Sequence, residues 1–358
     1  MKRIVILRVL ITAVAGIAGY LLFWPVPIDP VAWNPPAPDT SGVYAENNEL
    51  AKIDRLPVNS FAPEDIAIDS QGRIYTGVID GGHIYRLQSD GTRPEIFTQT
   101  YGRPLGMKFD QNGHLIVADA LKGLLSIAAD GSITVLSNQA DGVPFNCTND
   151  LDIAADGTIY FTDASYKFPL TELKADLLEH RPNGRLLAFD PKTGKTRAVL
   201  RDLYFANGVA VSPDQSFLLV NETGTYSVRR VWLTGEKRGQ SETFIENLPG
   251  FPDGISSNGK GLFWLAIVNR RDNALDFLLR HPFLRKTVMR LPNFMQPAIK
   301  RYAFVLALDA KGKVVQNLQD PSSNCFAEIA NVVEHNGSLY FGSIGESAIG
   351  RMAVPAAK

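Results

Sequence analysis

The chain has 358 residues, 45% hydrophobic and 20% charged, proportions ordinary for a globular protein. Its 36 Lys and Arg balance 37 Asp and Glu, so it lacks the basic footprint of a nucleic-acid binder. Two cysteines, Cys147 and Cys325, are too few for a disulfide scaffold or a zinc cluster and read as two unpaired buried thiols rather than one bridge.

Lys2 and Arg3 precede a run from Ile4 to Trp24 that is apolar apart from Arg8 and Thr12, long enough to cross a bilayer. Ala13-Val14-Ala15 resembles a signal-peptidase site, but the apolar run continues well past it, so residues 1–24 read as an uncleaved signal anchor. The basic start keeps the N-terminus in the cytoplasm and puts the remainder on the extracytoplasmic side, periplasmic or lumenal. Residues 25–42 carry Pro25, Pro27, Pro30, Pro35, Pro36 and Pro38 and read as a semi-rigid spacer holding the next domain off the membrane.

From residue 43 onward the chain repeats itself. Six copies of an alternating apolar strand, a polar turn rich in Asp, Asn and Gly, and a second strand begin at Ile66, Met107, Leu151, Val209, Ile255 and Val332. Period-two alternation around such turns marks β-hairpins, and further strands follow each hairpin. Units of about four strands, repeated six times, predict an all-β, six-bladed β-propeller over 43–358. The sixth unit is one strand short, whereas a spare segment, Leu50 to Leu56, precedes the first unit and is expected to close the ring. Two insertions, 164–184 and 270–301, lengthen the loops after the second strands of units three and five.

Four polar residues share one phase of this repeat. Glu64, Asn149, Asn207 and Asp253 each stand two residues before an apolar strand start. Oxygen donors from symmetry-related positions converge on one point of a central channel, and a summed charge of minus two matches one Ca²⁺. Read singly, the asparagines cap turns and the acids are solvated loop residues; four in phase argue otherwise. Leu105 and Ala330 hold the phase in the remaining units and are expected to give the pocket an apolar side. Loops after the second strands share that face, so Asp119, Asp163 and Glu222 are expected to line the pocket too. Both insertions are expected to overhang it, the second as an amphipathic cap or lipid contact.

Other chemistries lack their motifs. No Gly-x-Ser-x-Gly elbow, phosphate-binding glycine loop or close histidine pair is present. His83, His114, His180, His281 and His335 are scattered, with His114 and His335 at turns of the opposite face.

The segments Pro63-Glu64-Asp65, Gly102-Arg103-Pro104-Leu105-Gly106, Thr148-Asn149-Asp150-Leu151, Phe205-Ala206-Asn207-Gly208-Val209, Gly250-Phe251-Pro252-Asp253-Gly254 and Glu334-His335-Asn336-Gly337 resemble those of strictosidine synthase-like proteins. The chain also resembles the adipocyte plasma membrane-associated type, within the wider group of gluconolactonases, regucalcin and paraoxonases. The resemblance implies a calcium ion in the channel, held at Glu64, Asn149, Asn207 and Asp253, and hydrolysis of small-molecule lactones or aryl esters. It also implies a role for Asp253 as base or nucleophile. Ala330 falls where strictosidine synthase has its general-base glutamate, and Glu328 is displaced from that point by about 7 Å along a strand. Leu105 stands where paraoxonases carry a relay histidine. The expectation is therefore a membrane-anchored, Ca²⁺-dependent ester or lactone hydrolase. A non-catalytic calcium-bearing scaffold is the alternative, and a strictosidine synthase-type condensation stands third. No protein partner is indicated.

Overall fold

A computed structural model describes residues 2–296 and 300–356. Six antiparallel sheets of four strands each form a six-bladed β-propeller. Blade 3, for example, runs outward from Thr148–Ile153 through Ile159–Asp163 and Gly184–Asp190 to Lys195–Leu203. The second strands, such as Leu115–Asp119 and Phe217–Glu222, are buried along their whole length. They are covered on both faces, which is why they read as continuous apolar runs. Neighbouring blades share cores: Ala67, Tyr75 and Ile84 of blade 1 pack on Met107, Leu115 and Val117 of blade 2.

The turns joining first to second strands explain the Asp and Gly signature. In blade 2, Asp110 Oδ1 accepts from the backbone of Asn112 and His114 while Gly113 takes φ 81°. An Asx turn followed by a left-handed glycine reverses the chain in a few residues. Asp69 with Gly72 repeats the device in blade 1, and Asp309 with Gly312 uses it between the third and fourth strands of blade 5.

The early strand closes the ring as expected. Asp54–Pro57 pairs antiparallel with Ala348–Arg351 and becomes the outermost strand of blade 6. The seam between blades 6 and 1 is held by Ser343 N donating to Pro63 O at 2.7 Å and Ala62 N to Glu346 O at 2.8 Å. Gly342 is required there, because a Cβ would lie 1.8 Å from Glu64 O.

The N-terminal apolar helix α1 (Lys2–Phe23) has 22 residues and buries none of them. At a 1.5 Å rise it is about 33 Å long, enough for a bilayer core, and is a candidate membrane anchor. The proline-rich segment after it departs from the expected free spacer. Val31 N donates to Glu179 O at 3.1 Å, Trp33 N to Leu279 O at 2.9 Å, and Asn247 Nδ2 to Ala37 O at 3.0 Å. Ile28 is buried among Phe168, Ala175 and Leu178. An extended proline-rich strand leaves its carbonyls unpaired, and arginines of the second insertion take them. The segment is thus strapped along both insertions.

Those insertions form α2 (Leu173–Glu179) in the first, and α3 (Asn273–Leu279) and α4 (Pro282–Arg290) in the second. Helix α4 packs on α1, α2 and α3.

Candidate metal centre

The innermost strands of blades 2 to 6 do not enter their sheets smoothly. Each has a register shift at its start, between Pro104 and Met107, Thr148 and Leu151, Ala206 and Val209, Pro252 and Ile255, and Ile329 and Asn331. An extra residue at a bulge bends the strand and re-aims side chains. Repeated at one phase, it turns the residues at the bulges toward the channel.

There they surround a small cavity lined by Glu64, Asp65, Gly106, Asn149, Asp150, Asn207, Asp253, Gly254, Ala330 and Asn331. It offers ≈ 10 Å³ to the centre of a water-sized sphere, about the room one small occupant needs. A roomier cleft of ≈ 410 Å³, walled by Tyr75, Phe97 and Phe109, opens on the opposite face and contains none of these groups.

Glu64 Oε2 accepts from Arg103 Nη2 at 2.6 Å, and the same guanidinium donates to Ala62 O. Burial pushes the Glu64 carboxyl up in spite of that cation. Asp253 is pushed well above the usual carboxylate range, first by burial and then by the charge of Glu64, with the Asn207 amide opposing. Asn207 Nδ2 donates to Thr223 Oγ1 at 3.2 Å, and Thr223 donates on to Pro252 O at 2.6 Å. One N–H of the amide is thereby taken by Thr223, and the side chain also bonds the Asp253 carboxyl. Asn221 Nδ2 holds the Asp253 carbonyl; this residue begins a glycosylation sequon, yet it is fully buried. Among the described residues no group of three or more His, Cys, Asp and Glu is placed so as to hold a metal ion by itself, and half of this candidate set consists of amides.

One residue further along each strand lies a second ring, of which only the occasional Asp was visible as a pattern. Asp65 Oδ2 accepts from Met107 N of the next blade at 2.6 Å and Oδ1 from Ile66 N at 2.7 Å and from Asn331 Nδ2. Asp150 does the same, with Oδ2 on Val209 N at 2.9 Å and Oδ1 on Leu151 N at 2.8 Å. Burial raises Asp65 to about 7 and Asp150 well up, each aided by neighbouring acids. Blades 2, 4 and 5 carry glycine at this position and blade 6 carries Asn331, and a Cβ on Gly106 would sit 2.5 Å from Asp150 Oδ1. Deeper in the channel Asp152 repeats the bond, to Val211 N at 2.7 Å, and pairs with Lys108 Nζ.

Ala330 lines the cavity as expected, but four other predicted pocket residues do not. Asp119 Oδ1 accepts from Arg103 N at 3.0 Å, Asp163 Oδ1 from Cys147 N at 2.9 Å, and Glu222 Oε1 from Tyr204 N at 3.0 Å. Each acid turns back onto the loop that feeds its own blade and satisfies a backbone donor there; Asp163 also pairs with the buried Arg185. Leu105 points into an apolar cluster with Ala120, Cys147, Ala164 and Phe205, against which Leu170, Leu173 and Leu177 of the first insertion pack. No described residue of the second insertion lines the cavity. Both cysteines are free and buried. Arg103 was missed, although its place in Gly102-Arg103-Pro104, just before the Leu105 phase, was readable.

Six blades around an acid and amide cluster at one channel mouth define the class of the protein. The chain belongs to the strictosidine synthase-like family. The family model described as Strictosidine synthase-like, N-terminal, matches residues 42–87, and that described as Strictosidine synthase matches 149–236. Protein STRICTOSIDINE SYNTHASE-LIKE 6 of Arabidopsis thaliana is 40% identical over 298 residues, covering 81% of this chain and 78% of that protein. Adipocyte plasma membrane-associated protein of Rattus norvegicus is 32% identical, covering 94% of this chain and 95% of that protein. Among solved structures, a gluconolactonase of Xanthomonas campestris aligns with a TM-score of 0.62 at 19% identity, over 92% of this chain and 98% of that one. At that identity the likeness bears on the fold.

Proposed function

We propose that the protein is a membrane-anchored, Ca²⁺-dependent hydrolase of small-molecule esters or lactones, acting on the extracytoplasmic side. One observation carries the reading: Glu64, Asn149, Asn207 and Asp253, which share one phase of the repeat, line a single ion-sized cavity. Their chemistry fits a hard cation, with two carboxylates and two amide oxygens and no sulfur or imidazole. The upward displacement of both carboxyls marks a place short of positive charge. Bound calcium would polarise a substrate carbonyl and stabilise the oxyanion formed when water attacks. Asp253 is the candidate to accept the proton of that water. Arg103 positions Glu64. Leu105, Phe205 and the first insertion supply apolar surface beside the mouth. The propeller shared with a gluconolactonase supports hydrolysis over condensation. So does Ala330, which has no group to take a proton, and Glu328 does not replace it among the lining residues. Lys2 and Arg3 at the start of α1 support the orientation.

A second reading, a calcium-bearing propeller that binds rather than catalyses, is favoured by one observation. Apart from the candidate ligands, the titratable groups lining the cavity are Asp65 and Asp150, and both are engaged with backbone.

The two readings separate in one assay of the full chain in detergent against aryl esters and lactones, with chelator and after calcium is restored. Turnover that disappears on chelation and returns with Ca²⁺, while circular dichroism stays constant, is the expected result. Calcium binding with no turnover on any substrate would leave the binding module.

A further inference from the structure

The large apolar side chains exposed in the loops of this propeller are not spread over both ends. Phe61 and Ile79 of blade 1, Tyr101 and Leu121 of blade 2, and Tyr166 of blade 3 all stand in loops at the channel-mouth end, with Tyr101 73% exposed. Phe61 O accepts from Ile79 N, two residues beyond the strand whose Gly77 O receives Glu64 N, which fixes their end of the blade. At the opposite end, the turns around Asp69, Asp110, Ala154, Ser212, Asn258 and Asn336 expose no large apolar side chain among the described residues. Apolar surface gathered on one face marks a contact.

Helix α4 sharpens the asymmetry, because it is built inside out. Arg285 is fully buried and Arg290 nearly so, while Phe283 and Leu284 on the same helix face outward. Beside them stand Phe277, Met295 and Phe294, the last 87% exposed. A helix bathed in water does the reverse. Both buried arginines are held through backbone carbonyls: the two Nη groups of Arg285 donate to Leu178, Glu179 and Val31 while its Nε stays unpaired, and Arg290 donates to Leu21 and Trp24. Those last two carbonyls are the C-terminal end of α1. The candidate anchor is therefore fastened to the same face that carries the exposed aromatics, with Trp24 at the junction as in the aromatic belts of membrane proteins.

We propose that the channel-mouth face lies on the bilayer, with the aromatics of α3, α4 and the blade 1 and 2 loops seated in its interface. The occupant is a lipid surface, because the apolar face is continuous with the end of a bilayer-length helix. The inference rests on α1 spanning the membrane. Joined to the proposed hydrolysis, it assigns the site substrates that partition into lipid, since the mouth then opens toward the membrane and not toward bulk water.

The test uses the full chain in phosphatidylcholine vesicles, with single cysteines carrying an environment-sensitive fluorophore at Leu121→Cys, Tyr101→Cys, Ile11→Cys within α1, and Asn112→Cys on the opposite face. These sites are exposed, and both native thiols are buried. Emission at positions 121, 101 and 11 is expected to shift to the blue and to be lost to spin-labelled phosphatidylcholine, with position 112 unchanged. A lipid-quenched probe at 11 with water-like emission at 121 and 101 would overturn the proposal and leave the anchor intact. Blue-shifted probes at 121 and 101 that spin-labelled lipid does not quench would overturn it in favour of a protein cover. A probe at 11 untouched by spin-labelled lipid would remove the anchor reading, and the proposal with it.

Discussion

Asp65 and Asp150 stand one residue from Glu64 and Asn149, at the same mouth of the same channel, yet the two rings are used in opposite ways. In the inner pair every carboxylate oxygen holds a backbone N–H, one of them in the next blade. In the outer set, Asn207 has turned its nitrogen to Thr223, and Asp253 faces the charge of Glu64 across a small cavity. Both rings contain acids that repel one another, but those whose oxygens are all taken by backbone N–H groups hold the fold together, whereas those with oxygens to spare can take a partner. The difference separates scaffold from site among side chains of one chemical type.

The largest effect is expected from breaking the inner ring. Asp150→Ala leaves the N–H groups of Leu151 and Val209 buried without acceptors, and two such losses cost about 2–5 kcal/mol. Thermal or urea unfolding should show the full loss, and bound calcium should not restore it. Gly208→Ala should act in the same direction, because its Cβ would lie 2.5 Å from the backbone of Asp253 and Ile255.

A buried group outside both rings is expected to respond to acid. His180 lies between Trp33 of the strap, with ring centroids 4.5 Å apart, and Tyr204. Burial, aided by the charge of Arg285, lowers it to about 4 from an unfolded value near 6.5. A group whose folded value is depressed below the unfolded one binds its proton more readily when unfolded. The neutral imidazole therefore contributes fully above pH 6.5, and up to about 3 kcal/mol is lost as pH falls toward 4. Trp33 emission should report release of the strap across that window, and His180→Phe should flatten the response.

The outer ring should behave in the reverse sense to the inner one. Asp253→Asn removes a like-charge contact and is expected to raise the stability of the calcium-free protein by about 1 kcal/mol, within the range of such pairs. It should abolish calcium-dependent turnover at the same time. A variant that lost stability as Asp150→Ala does would erase the distinction between the rings.

Much of this was legible in the chain. Alternation around Asp and Gly turns gave six hairpins, and the surplus segment from Leu50 to Leu56 pointed to the closing strand, observed at Asp54–Pro57. The common phase of Glu64, Asn149, Asn207 and Asp253 survived folding because each blade repeats one local geometry. What the pattern did not contain was direction. An acid at the end of a second strand reads alike whether it faces the channel or turns back, so Asp119, Asp163 and Glu222 were placed in the pocket. The loop donor some sixteen to eighteen residues upstream decides the matter in all three. The strap was hidden for a related reason: proline content predicts an extended chain, but its docking depends on arginines about 250 residues later in sequence.

Calcium held by the outer ring would bind the folded chain and so raise its stability. The full chain would be unfolded thermally after chelation and across a Ca²⁺ titration, in the native form and as Asp253→Asn. A midpoint that climbs with calcium in the native protein, as a ligand bound to the folded state requires, and stays level in the variant is the predicted result. A native midpoint indifferent to calcium, or an equal climb in Asp253→Asn, would contradict it.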